Sequence, residues 1–305
     1  MRAVVQHGTG GPEVLNLEDR PEPTRKAGEV LIRVEAIAVP FYETQLRAGL
    51  IPAGSEPAIF GHEAAGTIVE ADDPAAVGRK AVVMSFTGGA YAELVVASRY
   101  TLVPEAISAE HAVAAAVPAS MAVVLLRTAN VVEGESVLVE AASGAIGGYL
   151  ARLAKDRGAR VIATAGAGKP VPDADEVLDH NDPDWRQEVP EGIDVLFESI
   201  GGPRAAELTT KLVPRGRILA YGLLSGEFPT YSVAALAARG LALIGFGGLD
   251  AYAEDVAAAR AEALGLVADG TLNPVLDRTY PLADVAAAHA RVQSREGVGK
   301  VVLIP

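Results

Sequence analysis

The sequence predicts an α/β protein: a β-rich head, a doubly wound parallel sheet inserted after it, and a mixed tail that returns to the head. Three observations predict this class. Residues 1–110 are dense in short apolar–polar alternations punctuated by Gly and Pro. From about residue 130 to 245, short continuous apolar runs alternate with helix-forming stretches, as do strands buried on both faces and joined by crossover helices. Beyond residue 250 the order becomes helix, extended stretch, helix and apolar strand. A length of 305 residues suits two domains. The expected division is 1–112 with 253–305 for the head-and-tail domain and 113–252 for the middle.

The elements follow in order. Arg2-Ala3-Val4-Val5 opens as a strand. Residues 28–36 alternate apolar and polar side chains, and 66–70, 80–84 and 90–96 are further strand candidates. Residues 108–130 form a long Ala-rich helix interrupted at Pro118. Ser136-Val137-Leu138-Val139 is a buried strand, 147–157 a helix closed by Gly158, and 160–163 a second strand. Pro170 and Pro172 oppose a helix after that strand. Residues 176–178, 194–197, 217–220 and 241–245 are buried-strand candidates. Residues 251–269 form a helix capped by Gly270, 273–280 are extended, 282–293 helical, and 299–304 a terminal strand.

Composition excludes several functions. There is no cysteine, so disulfides, thiolate metal sites and thiol nucleophiles are absent. A formal net charge of −13 opposes a nucleic-acid footprint, which needs clustered Lys and Arg. A polyanionic ligand would have to be held locally, by backbone N–H groups and a few placed cations. No uncharged apolar run reaches the roughly 18 residues of a spanning helix; residues 112–126 come closest. The N-terminus carries no basic region followed by an apolar one. A soluble cytoplasmic protein is expected, with no membrane partner.

The strand 136–139 runs into Ala142-x-Gly144-x-x-Gly147 and then into a helix, the setting of a dinucleotide fingerprint. Gly144 would let the backbone approach a pyrophosphate, and Gly147 would let the helix pack on the strand. The amides of Ser143, Gly144, Ala145, Ile146 and Gly147 at the helix start would bind phosphate. Ala142 replaces the first glycine, so a bare turn without ligand stays open. The second strand runs to Thr164, a candidate cofactor contact, and carries no acid before Asp173 to bind a ribose 2′-hydroxyl, while Lys169 could meet a 2′-phosphate. NADP(H) is therefore the expected cofactor, with a solvated loop lysine as the plain alternative at Lys169.

Several segments, in order, carry a family likeness: Gly28-Glu29-Val30-Leu31-Ile32-Arg33-Val34, Gly61-His62-Glu63-Ala64-Ala65-Gly66, Gly89-Ala90-Tyr91-Ala92-Glu93-Leu94, residues 134–147, residues 174–179 and Gly299-Lys300-Val301-Val302. The chain resembles the zinc-independent quinone oxidoreductase branch of the medium-chain dehydrogenase/reductase superfamily. The resemblance implies a GroES-like catalytic domain and a Rossmann domain. It places Ser120 where a hydroxyl contacts the cofactor, His180 beside the adenosine phosphate, and Ser199-Ile200-Gly201 and Gly222-Leu223-Leu224 on the nicotinamide side. It also implies a homodimer through residues 241–248. Zinc-dependent relatives have a Cys at the position of Pro40, which cannot ligate; His62 and Glu63 are read as structural.

The chain departs from the quinone pattern at Pro40, Gln45 and Ile51, and Tyr42 is either a replacement hydrogen-bond donor or a rim aromatic. The expected activity is hydride transfer from NADPH to a small apolar electrophile, a quinone or an α,β-unsaturated carbonyl, with Tyr42, Ser120 or backbone amides facing the developing oxyanion. The alternatives are an enoyl reductase of a biosynthetic pathway, a non-catalytic NADP(H)-binding protein and a zinc alcohol dehydrogenase.

Overall fold

The computed structural model describes residues 1–51, 58–85, 88–247 and 251–305. Two compact units emerge, residues 1–117 with 261–305 and residues 118–260. The first contains β1 (Arg2–Gln6), β2 (Leu15–Asp19), β3 (Val30–Val39), α1 (Phe41–Ala48), β4 (Ala58–Ile59), β5 (Glu63–Glu70), β6 (Lys80–Met84), β7 (Leu94–Ala97) and β8 (Tyr100–Leu102). Helix α2 (Ala109–Ala129) leads into the second unit, with β9 (Ser136–Val139), α3 (Ala145–Asp156), β10 (Arg160–Ala165), β11 (Glu176–Asp179), α4 (Trp185–Glu188), β12 (Ile193–Glu198), β13 (Leu212–Ala220), α5 (Val233–Arg239) and β14 (Ala242–Gly245). Helix α6 (Ala253–Ala268) leads back to β15 (Leu276–Pro281), α7 (Val285–Ser294) and β16 (Lys300–Ile304).

The first unit is built on β3. Its alternation buries Ile32, Val34 and Ile37, and it pairs with β5, β7 and β16. The larger sheet runs β15-β16-β3-β5-β6-β8, with β7 also on β3, and a smaller one runs β2-β1-β4. Gly66 on β5 lies so close to β3 that a Cβ there would stand 2.0 Å from the Arg33 carbonyl oxygen. Phe60, Ile68, Tyr91 and Leu303 join the same core.

Pro118 does not interrupt α2, contrary to the sequence expectation. The helix is almost wholly buried, and that packing outweighs the one hydrogen bond a proline removes. By length and composition α2 could cross a membrane, which the count of uncharged residues did not anticipate; 83% of its apolar window is buried inside the protein. The expected helix 282–293 begins as a 3₁₀ turn, Leu282–Asp284, before α7.

The second unit is a six-stranded parallel sheet in the order β11-β10-β9-β12-β13-β14. By appearance this is 3-2-1-4-5-6, and connections diverge between β9 and β12. Leu138, Ile162, Leu196, Ile218 and Trp185 form its core. By sequence, residues 241–245 suit either a buried strand or an edge strand joining a twin, because an apolar run alone does not separate the two. They form an edge strand, with Leu243 42% exposed. Residue 248 of the 241–248 segment lies outside the described residues. Turns, not a helix, join β10 to β11, as Pro170 and Pro172 require.

Candidate functional site

The turn after β9 is held from below by Thr164. The Ala141 amide donates to the Thr164 hydroxyl (3.0 Å), and the Ala142 amide donates to the Thr164 carbonyl (2.7 Å). Ala141, one residue before the missing glycine, takes the left-handed conformation at φ 50°. Gly147 is the close-packing glycine: a Cβ there would meet the Ala142 Cα at 2.6 Å and the Ala141 oxygen at 2.8 Å. Gly144 is the exposed N-cap of α3, and no side chain caps the helix. The first bond of the helix runs from the Gly148 amide to the Gly144 carbonyl (3.1 Å). The amides of Ala145, Ile146 and Gly147 precede it, and they stand at the positive end of a twelve-residue helix.

Around this turn the structure gathers most of the residues singled out by sequence. Ser143 is half-buried in the turn. His180 follows β11, its Nδ1 3.4 Å from the Thr164 hydroxyl. Thr164 itself is fully buried and organises the cradle from beneath. Lys169 is half-buried in the turn after β10, its stem folded over Gly166. Asp179 lies beside the end of β10, in register with Ala165, but its Oδ1 accepts from the Asn181 amide (2.9 Å). No carboxylate stands on β10 at the ribose position.

Ser199 and Gly222 meet at the carboxyl ends of β12 and β13. A Cβ on Gly222 would stand 2.4 Å from the Ser199 oxygen. Half-buried Leu223 follows in the same loop. The loops are zipped together by Leu224 N to Ser199 O (3.1 Å), Ser225 N to Ile200 O (2.7 Å) and Gly202 N to Glu227 O (2.8 Å).

Sequence reasoning missed two acids here. The Glu140 Oε2 accepts the amides of Ser199 and Ile200, both at 2.9 Å, and the Glu198 carboxylate accepts the Gly201 amide. Both side chains are fully buried. The overlooked signal was a repeated tetrad, Val137-Leu138-Val139-Glu140 and Val195-Leu196-Phe197-Glu198, in which a charge closes an apolar strand.

The first unit has its own buried polar cluster. Glu43 on α1 accepts from the His62 amide (2.8 Å), His62 Nδ1 (2.8 Å) and the Tyr91 hydroxyl (2.5 Å). Burial raises the Glu43 pKa, opposed by His62 and Tyr91. Burial lowers His289 to about 3; because the Tyr91 proton goes to Glu43, the Nε2 of the neutral ring is the group left to donate to the Tyr91 oxygen (3.1 Å). Tyr42 donates weakly to Glu63 (3.5 Å), and Lys300 donates to the other Glu63 oxygen (3.3 Å). His62 is partly exposed, and among the described residues its Nε2 has no hydrogen-bond partner. Ser120 belongs to the second unit and is fully buried in α2.

Comparison with known proteins places this geometry. Residues 26–108 match the alcohol dehydrogenase GroES-like domain, and residues 173–303 match the zinc-binding dehydrogenase family. The chain is 30% identical to a human quinone oxidoreductase over all of this chain and 98% of that protein. A mycobacterial protein solved in complex with NADPH superposes over both full chains with a TM-score of 0.89 at 31% identity. An Escherichia coli quinone oxidoreductase complexed with NADPH does so at 0.90 and 26%.

The described donors do not fit the metal named by one of those families. Among the described residues no group of three or more His, Cys, Asp or Glu could hold an ion. His62 Nδ1 is bonded to Glu43, and an ammonium group occupies one oxygen of Glu63.

Proposed function

The chain belongs to the quinone oxidoreductase-like branch of the medium-chain dehydrogenase/reductase superfamily, and on that premise we propose that it is an NADPH-dependent reductase of small apolar electrophiles, quinones or α,β-unsaturated carbonyls. The observation that carries this reading is the uncapped start of α3, set by Gly144 and Gly147 at the carboxyl edge of the parallel sheet. The residues fit the cofactor: the amides of 145–147 suit the pyrophosphate, and Lys169, with no acid on β10, suits a 2′-phosphate over a bare ribose. NADP(H) supplies the hydride when bound. The loops around Ser199 and Gly222 shape the nicotinamide side.

The second unit is the cofactor-binding domain in this reading. Reduction consumes one proton beside the hydride. Tyr42, Ser120 and the partly exposed His62 are the groups proposed to hydrogen-bond or protonate the product oxygen. We place a homodimer contact on β14, the edge strand of a unit that also exposes Val233 and Phe228.

The test is purified protein with NADPH and a panel of quinones and enones. NADPH oxidation should be followed by absorbance, and cofactor affinity by fluorescence titration. Turnover with at least one class supports the proposal. Tight NADPH binding without turnover on any of them would replace it with a non-catalytic cofactor-binding role, and no binding would remove both.

A further inference from the structure

Strands β9 and β12 lie side by side and in phase, with Val195 opposite Val137, Leu196 opposite Leu138 and Phe197 opposite Val139. The next residues are Glu198 and Glu140. Two carboxyl groups are thus brought together where the sheet connections diverge, and neither has any exposed surface. Each uses one oxygen on loop amides: Glu140 Oε2 on Ser199 and Ile200, and Glu198 Oε1 on Gly201. Among the described residues, the other two oxygens, Oε1 of Glu140 and Oε2 of Glu198, receive no N–H or O–H donor, and both are cut off from solvent.

Two adjacent buried carboxylates with orphan oxygens are not a stable arrangement. A single proton between them converts one orphan into a donor and the other into its acceptor. We propose that Glu140 and Glu198 share one proton, and that this proton fastens the loop 199–201 into the shape that receives the cofactor. This rests on the reading of the loop as the nicotinamide side of an NADPH site.

The surroundings assign the proton to Glu198. Burial first, and then the charge of Glu140, push Glu198 up to about 8. Burial raises Glu140 too, but the amides of Ile200 and Ser199 stabilise its charge. The other ionisable groups that bear on the pair are Arg186 from α4, whose field favours the carboxylates, and Tyr221 and Tyr231, each raised by burial and by the two acids. Loss of the proton leaves two charges side by side behind the loop. Relief comes through separation of the acids, which releases the amides of 199–201.

The experiment uses the full chain without cofactor, then with NADPH, between about pH 6.5 and about pH 9.5, a range that brackets the Glu198 value. Three readouts are compared in wild type and Glu198→Gln. They are the infrared carbonyl band of a protonated carboxyl, the hydrogen-exchange protection of amides 199–201, and the NADPH dissociation constant. Gln keeps the shape of a protonated Glu and cannot ionise. The expected wild type shows the band at pH 7, loses it on the alkaline side, and loses about tenfold protection and NADPH affinity with it. Glu198→Gln should lack the band and hold protection and affinity level throughout. A wild type whose protection stays level, or a Glu198→Gln with the same alkaline loss, overturns the proposal. Loss of protection as expected, in a protein that binds NADPH at no pH, leaves the shared proton standing and overturns the cofactor reading instead.

Discussion

Gly147 has no room for a side chain where α3 packs on the turn. An added methyl would fall 2.6 Å from a backbone carbon, and overpacking of this kind costs about 1–3 kcal/mol. Gly147→Ala should therefore weaken NADPH binding about tenfold or more, read by fluorescence titration; unchanged affinity would show that α3 does not set the cradle. Lys169→Ala should lower NADPH affinity about tenfold and leave NADH affinity unchanged, and an equal loss for both would remove Lys169 from the 2′-phosphate. His62 offers a pH test. Burial alone would lower its pKa, but the bond to Glu43 and the charges of Glu43 and Glu63 reverse this and raise it. A raised histidine gives stability that is complete below the unfolded value of about 6.5 and is lost as pH rises through the folded one. Tm should therefore fall above about pH 6.5 in wild type and fall less in His62→Gln, as thermal unfolding across that range would show; parallel curves would dismiss His62 as the titrating group.

At the scale of elements, β14 carries the dimer proposal. Leu243→Lys puts a charge on its exposed face and should shift the protein from dimer to monomer on sizing chromatography; a variant that elutes like wild type would move the contact elsewhere. The same strand shows what the sequence could and could not reveal. Its apolar run marks a strand but leaves open whether it lies inside the sheet or at its edge, because position in a sheet depends on partners far along the chain. The turn after β9 was legible, since strand, glycines and helix are contiguous. The two bonds of Thr164 to the turn cross between strands and have no local signature, so its supporting role beneath the turn was not legible. Glu140 and Glu198 lie 58 positions apart, and only the pairing of β9 with β12 makes them neighbours. Pro118 misled in the opposite sense, a strong local signal overridden by burial of the whole helix.

Over the whole molecule, a net charge of −13 repels an anionic cofactor. Lys169 opposes that field locally, so in wild type added salt screens attraction and repulsion together. In Lys169→Ala the balance shifts toward repulsion, and NADPH affinity should rise with ionic strength; a fall on adding salt would mean that the helix start or other cations dominate the site. The order of the chain has a consequence of a different kind. Strand β16 is not a terminal appendage: it sits inside the larger sheet between β15 and β3. During synthesis the chain emerges from its N-terminus, so β1 to β8 are made long before residues 300–304 exist. The sheet of residues 118–260 is contiguous and can close in the meantime. At about 5–20 residues per second the β3 edge waits roughly ten to forty seconds for its last neighbour, and through that interval a ribosome-bound chain exposes an apolar, hydrogen-bonding edge to any other nascent strand.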